Sequence, residues 1–162
     1  QSELLVYRKG SDPMAEKKVF HIGDRASFSK TISESDVYAF AGITGDFNGL
    51  HVNEEFARRT RYGKRIVHGN IPASFISTAM GMSLPGPGAI FVDQSTKFLK
   101  PVYYNDTITA NIELIEAREK GRFYVCTIKG ECRNQHGEVV IVSVCHEMIS
   151  MDEVEIRGED EA

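Results

Sequence analysis

Residues 71–83, IPASFISTAMGMS, decide the fold of this chain. The segment is apolar nearly all round, and its only polar side chains are the hydroxyls of Ser and Thr. This length and character are typical of a buried core helix rather than of a membrane span. Pro72 fits the first turn of such a helix, where a missing N–H is harmless. The breaker sequence LPGPG at residues 84–88 then ends it.

Strand patterns follow the helix. Apolar residues alternate with polar ones or form short apolar runs in four segments, 89–104, 106–119, 122–133 and 139–151. Pro101 breaks the first segment, and residues 134–137, NQHG, are typical of a hairpin turn. Consecutive antiparallel strands after one buried helix predict an α+β fold with the sheet wrapped on that helix.

Shorter elements are predicted before the core helix. Residues 19–33 suit a strand or extended segment. Ser33 starts a capping-box-like pattern for a helix that ends by Gly45. Asn53 is typical of the N-cap of a second helix, which runs to about Thr60.

The length of 162 residues predicts one domain. We assign residues 18–151 to it. Residues 1–17 are interpreted as a flexible N-terminal segment, or as residues added before a native start at Met14. Residues 152–162 are interpreted as an acidic tail that frays.

Composition excludes several classes of function. The net charge of −4 argues against a nucleic-acid partner. No apolar run reaches the length of a membrane span, and the N-terminus lacks the apolar core of a signal peptide, so we expect a cytoplasmic protein without a membrane partner. The three cysteines fit neither a zinc pattern nor a disulfide framework, and we expect buried, inert thiols.

Five cations cluster in residues 58–65. They are Arg58, Arg59, Arg61, Lys64 and Arg65. One interpretation is a solvated helix face and loop. The other is attraction for an anionic small molecule such as a phosphorylated cofactor.

Asp46 and His51 are the candidate acid–base pair. On one continuous helix, residues five positions apart would point about 140° apart, so they cannot share a helix face. Gly45 and Gly49 permit a turn that brings the carboxylate and the imidazole together. A carboxylate beside a group that titrates near neutrality suits general acid–base chemistry. The alternative is a turn-forming Asp and a structural His.

Gly69 precedes the buried helix, where free N–H groups and the positive end of the helix dipole stabilise an anion. Simple helix-entry geometry is the alternative reason for a glycine there. We expect His68 to have a positional role rather than a catalytic one.

These segments resemble the MaoC-like (R)-specific enoyl-CoA hydratases. The resemblance rests on DFNGLH at residues 46–51, on IVHG at residues 66–69 and on the apolar helix with Ala73, Ser74 and Ser77. It extends to the strand patterns QSTKF and DTITA, at residues 94–98 and 106–110. The motif of that family is commonly written D-x-N-P-x-H.

The resemblance implies a hot-dog fold, in which a curved antiparallel sheet wraps a long central helix, in a homodimer or dimer of dimers. It implies a trans-2-enoyl-CoA substrate, with Asp46 and His51 activating water. It also implies that the Gly69 N–H binds the thioester oxygen and that Ser77 supports the pair or shapes the acyl pocket. No metal is implied, and no cofactor apart from the CoA of the substrate.

This chain departs from the family pattern at two places. Gly49 stands where the family usually has proline, and residues 70–72, NIP, replace a run of Met and Leu.

Other functions remain open, because one fold hosts several reactions. The reverse reaction, dehydration of 3-hydroxyacyl thioesters in fatty-acid synthesis, uses the same groups. An acyl-CoA thioesterase is disfavoured because residues 71–83 contain no Asp or Glu. A non-catalytic acyl-CoA-binding protein would be expected to lack Asp46 or His51.

Overall fold

A computed structural model of the chain describes residues 16–158. Its elements are, in chain order, β1 (Lys18–His21), β2 (Arg25–Thr31), α1 (Glu34–Thr44), α2 (Gly49–Val52), α3 (Glu54–Arg58), α4 (Asn70–Met82), β3 (Ile90–Phe98), β4 (Thr107–Lys120), β5 (Phe123–Arg133), β6 (Val139–Ser150) and β7 (Val154–Arg157). The predictions made for residues 1–15 and 159–162 lie outside the described residues.

The main sheet has five antiparallel strands in the order β2-β4-β5-β6-β3. The α4 helix packs against β2, β4 and β5. The predicted α+β arrangement of one buried helix on an antiparallel sheet is therefore confirmed. The sheet places β2 and β3 at its two edges, so β3 enters the sheet beside the last long strand rather than the first.

The α4 helix forms the centre of the core because most of its side chains are apolar. Ile76 and Met80 are fully buried. Ile76 lies directly over Gly130 of β5, where a Cβ atom in place of the glycine hydrogen would approach the Ile76 Cγ2 to 2.9 Å. A glycine in mid-strand usually weakens a sheet, and here it allows the helix to approach the sheet closely.

Local signals in the sequence set the helices before α4. The Ser33 side chain accepts a hydrogen bond from the Asp36 N–H at 3.2 Å, and the Asp36 carboxylate accepts one from the Ser33 N–H at 2.8 Å. This capping box starts α1 as predicted, and Gly45 ends it in the left-handed conformation, with φ +77°. Asn53 caps α3, also as predicted.

The prediction that the chain frays beyond Met151 is wrong for Val154–Arg157, which forms β7 and pairs in parallel with β1. Val154 is only 2% exposed. The prediction relied on the high acidic content of this end. It overlooked a period-two pattern, in which Val154 and Ile156 alternate with Glu155 and Arg157. Burial of the apolar residues offsets the ordering of this short strand.

The three cysteines are free and buried, which confirms the expectation of no disulfide. Burial raises the pKa of the Cys126 and Cys132 thiols to about 12. None of the helices within residues 16–158 combines the length and the apolar content that crossing a bilayer requires.

Candidate active site

The segment between α1 and α3 folds back sharply and carries the predicted pair. Gly45 reverses the chain after α1. The Asn48 side chain then accepts a hydrogen bond from the Leu50 N–H at 3.0 Å and caps α2. The sequence predicted a loop here and did not predict α2, a single turn that holds His51. The two candidates therefore lie on different local structures, as their spacing required.

His51 is fixed in one orientation. Its Nδ1 lies 2.8 Å from the carbonyl oxygen of Ile66. A carbonyl only accepts, so Nδ1 carries the proton, and in the neutral ring Nε2 keeps its lone pair. The hydroxyl of Tyr104 donates to the backbone carbonyl of His51 and holds α2 in place.

The electrostatics of His51 favour the neutral form. Burial lowers the pKa of His51 below its ordinary value of 6.5, and the neighbouring His68 lowers it further. The hydrogen bond to Ile66 and the Asp46 carboxylate act in the opposite direction. At neutral pH the imidazole is therefore available as a base at Nε2.

Asp46 lies beside His51 without touching it. Its side chain is 52% exposed, and its Oδ1 accepts a hydrogen bond from the Asn48 N–H at 3.1 Å. An Asp46 oxygen and a His51 ring nitrogen lie within 4.8 Å of each other, and no hydrogen bond joins the two side chains. That separation suits one water molecule bridging the carboxylate and the imidazole.

His68 connects the two candidates. It is only 3% exposed, and its Nε2 donates to the Asp46 carbonyl oxygen at 2.8 Å and lies 3.9 Å from Asp46 Oδ2. Its ring stacks on the ring of His51, with 3.9 Å between centroids. The sequence assigned His68 only a general positional role. Its contact with both candidates depends on tertiary structure.

Asp46, His51 and His68 also form the one group of possible metal ligands within residues 16–158. One ligand atom from each lies within 4.8 Å of the others. A carboxylate and two imidazoles are a donor set that suits zinc and similar ions. Metal binding would occupy the lone pairs that acid–base chemistry uses, and the absence of a metal from the reaction stays a prediction.

Gly69 stands at the N-cap of α4. Within residues 16–158 its N–H has no hydrogen-bond acceptor, so it can donate to a ligand. A Cβ atom at this position would lie 2.8 Å from the Phe98 ring. Glycine therefore allows close packing of Phe98 over the helix start, in addition to the helix-entry geometry.

A cavity of about 260 Å³ contains His51 and Gly69 in its wall. Its wall also includes the buried apolar residues Val67, Pro72 and Val102. Neither Asp46 nor Ser77 is part of the wall. Asp46 lies beside His51, and Ser77 lies half-buried on α4. A larger concavity of about 880 Å³ crosses the five strands but contains none of the candidate residues, so we assign the chemistry to the smaller one.

The departure at Gly49 has a local explanation. A Cβ atom at Gly49 would lie 2.8 Å from the Phe56 ring, which packs on the α2 backbone. A proline ring at this position would meet the same obstacle. Gly49 therefore leaves room for the Phe56 ring, which a proline at this position would displace.

Comparison with known proteins shows the family of this chain. The profile of the MaoC like domain matches residues 20–138. The chain therefore belongs to the MaoC-like domain family.

Individual members of the family resemble this chain closely. An (R)-specific enoyl-CoA hydratase of Rhodospirillum rubrum is 47% identical over 113 residues, which are 67% of this chain and 78% of that protein. A mitochondrial 3-hydroxyacyl-[acyl-carrier-protein] dehydratase of Arabidopsis thaliana is 32% identical over 86% of this chain and 82% of its own length.

Among solved structures, the (R)-hydratase of Aeromonas caviae involved in PHA biosynthesis superposes with a TM-score of 0.74 at 34% identity. The match covers 79% of this chain and 96% of that one. The predicted hot-dog fold is thereby confirmed.

Proposed function

We propose that this chain is an (R)-specific enoyl-CoA hydratase, a hydro-lyase that adds water reversibly to trans-2-enoyl-CoA and forms (R)-3-hydroxyacyl-CoA. The observation that carries the proposal is that an Asp46 oxygen and a His51 ring nitrogen lie within 4.8 Å of each other, close enough for one water molecule to bridge them, in a site that also offers the free Gly69 N–H. The hydratase named among the relatives of the chain supports the same activity.

In the proposed reaction, His51 Nε2 takes a proton from the bridging water while the water oxygen bonds to C3 of the enoyl group. The π electrons move through C2 to the thioester oxygen, which becomes an enolate. The Gly69 N–H donates to that oxygen as its charge develops. The acid–base pair then delivers a proton to C2, the thioester carbonyl re-forms, and the pair returns to its starting state.

The remaining predicted components belong to the same proposal. Ser77 supports the acid–base pair or shapes the acyl pocket. The only cofactor chemistry invoked is the CoA carried by the substrate, and no metal takes part.

We also propose a homodimer that forms through β3. Within residues 16–158, one side of this edge strand pairs with β6 and no strand pairs with the other. Its apolar residues Ile90, Phe91 and Val92 are between 42% and 55% exposed. Edge strands of this kind are prone to pair with another copy. Sedimentation equilibrium is expected to give twice the chain mass of 18.1 kDa, and a monomer mass would contradict the proposal.

Dehydration of 3-hydroxyacyl thioesters on an acyl carrier protein is the second candidate, because the Arabidopsis relative that spans most of the chain bears that name. The chemistry is the same in the opposite direction. A thioesterase is less well supported, because α4 carries no carboxylate to direct at the thioester.

Crotonyl-CoA hydration tests the proposal. The purified protein is expected to consume the conjugated double bond and to release only the (R)-3-hydroxybutyryl product, as chiral analysis would report. Parallel reactions with crotonyl carrier protein compare the two carriers, and a thiol assay detects thioester hydrolysis. Release of free CoA without hydration, or formation of the (S) product, would reject the assignment.

A further inference from the structure

The five cations of residues 58–65 divide into two groups. Arg58 forms ion pairs with Glu54 at 3.5 Å and with Glu55 at 3.1 Å. Arg65 bridges Glu34 at 2.6 Å and Glu54 at 3.0 Å. These two arginines therefore act within the structure, and their charge is balanced.

The other three cations have no carboxylate partner within residues 16–158; they are Arg59, Arg61 and Lys64. Lys64 lies over the Tyr103 ring, with 4.2 Å from Nζ to the centroid. Arg61 donates a hydrogen bond to the Tyr62 hydroxyl at 2.8 Å and lies 4.9 Å from the centre of its ring. These contacts orient both cations without neutralising them. The segment therefore carries uncompensated positive charge on a protein with a net charge of −4.

Arg61 is the member of this group that reaches the candidate site. Arg61 and Tyr62 form part of the wall of the cavity that contains His51 and Gly69. Arg61 is also exposed, so it stands at the rim. Lys100 lines the same cavity, but Glu138 pairs with it. A substrate that enters from solvent with its reacting end at His51 leaves its remaining part at the rim, where Arg61 is an unpaired cation.

We propose that Arg61 binds a phosphate group of the thioester carrier, and that Tyr62 orients the Arg61 guanidinium for this contact. This inference rests on the proposed function, which requires a thioester in the cavity. A guanidinium presents a planar fork of donors that matches phosphate oxygens. CoA and the phosphopantetheine arm of an acyl carrier protein share this chemistry, because each joins the thioester to phosphate through a long flexible arm that must leave the cavity over its rim.

The test compares Arg61→Ala with Arg58→Ala. Both variants remove one positive charge from the same segment, but Arg58 is absent from the cavity wall. Each is assayed with crotonyl-CoA and with crotonyl-pantetheine, which lacks phosphate. A charged hydrogen bond corresponds to about a tenfold to hundredfold effect. We expect Arg61→Ala to lower kcat/KM for crotonyl-CoA by about tenfold or more, mainly through KM, and to leave crotonyl-pantetheine unaffected. Arg58→Ala is expected to change neither substrate.

Further arms identify the source of the phosphate. A loss on crotonyl-CoA but not on crotonyl carrier protein would assign Arg61 to a phosphate found only in CoA, and equal losses would assign it to the shared phosphopantetheine phosphate. Equal losses on crotonyl-CoA and crotonyl-pantetheine, or an equal loss from Arg58→Ala, would overturn the inference. If the wild-type protein hydrates none of these thioesters, the proposed function fails instead. Calorimetric binding of CoA, weakened by Arg61→Ala and not by Arg58→Ala, then tests the phosphate site by itself, and unchanged binding would overturn it.

Discussion

Asp46→Asn and His51→Ala are each expected to lower kcat for crotonyl-CoA hydration by about 10²–10⁴-fold, because each removes one partner of the acid–base system. Asparagine retains a side-chain oxygen that can accept from the Asn48 N–H, so the turn at Asp46 persists in that variant. Because the pair acts as a unit, the double variant is expected to lose little more than either single one.

The pH profile separates a chemical role from a structural one. The acidic limb of kcat/KM for the wild-type protein is expected below pH 6.5, because burial lowers the pKa of His51. The Asp46 carboxylate raises the pKa of His51. Its removal in Asp46→Asn should therefore move the acidic limb of the residual activity to still lower pH, a shift that simple loosening of the loop would not produce.

A matched control is His136→Ala, which removes an exposed histidine from the turn between β5 and β6. It is expected to retain wild-type activity. Circular dichroism and thermal melting of all the variants check that they fold. Near-wild-type hydration by a folded Asp46→Asn or His51→Ala protein would contradict the assignment of that residue as catalytic.

Glu147→Gln is expected to make the stability of the protein less sensitive to pH. Glu147 lies on β6, is 2% exposed, and its Oε2 has no hydrogen-bond partner within residues 16–158. It pairs across the sheet with Cys126, and both Cys126 and Cys145 keep neutral thiols, whose pKa values burial raises. Burial raises the pKa of Glu147 from 4.5 to about 7.

The direction of the effect follows from proton linkage. Between pH 4.5 and about 7 the folded protein holds a proton that the unfolded chain has lost. The free energy of unfolding therefore falls as the pH rises through this window and is constant, with respect to this group, above it. At about 1.4 kcal/mol per pH unit, the full loss is about 3 kcal/mol.

Glutamine cannot ionise, so Glu147→Gln removes this loss. Its amide adds an unpaired buried donor, which lowers the free energy of unfolding by about 1–3 kcal/mol at every pH. The decisive quantity is therefore the difference in unfolding free energy between pH 5 and pH 8, measured by urea denaturation. We expect the unfolding free energy of the variant to rise by about 2.5 kcal/mol relative to that of wild type between pH 5 and pH 8. Glu119→Gln, at an exposed position, serves as the control, and the pH dependence of its unfolding free energy should match that of wild type. A Glu147→Gln protein with the wild-type pH dependence would contradict the prediction.

Much of the fold could be predicted because its signals are local. The capping box at Ser33, the cap at Asn53 and the apolar run at residues 71–83 each act within a few residues of chain, and the structure contains the helices they predict. The strand β7 escaped prediction because its stability comes from pairing with β1, at the other end of the described chain.

The candidate site divides in the same way. The sequence by itself determined the residue types and the turn that separates Asp46 from His51. It predicted a free N–H at Gly69, and the structure shows that this N–H has no acceptor within residues 16–158. The sequence also indicated the family, which the match of the MaoC like domain to residues 20–138 showed.

Only the tertiary structure decided how these groups meet. It placed His68 against both Asp46 and His51, fitted Gly49 to the Phe56 ring, and distinguished Arg61 at the cavity rim from Arg58 in its ion pairs. The physical reason is that side-chain contacts between separate elements depend on how the chain packs, whereas capping, turn formation and periodicity depend only on neighbours in sequence.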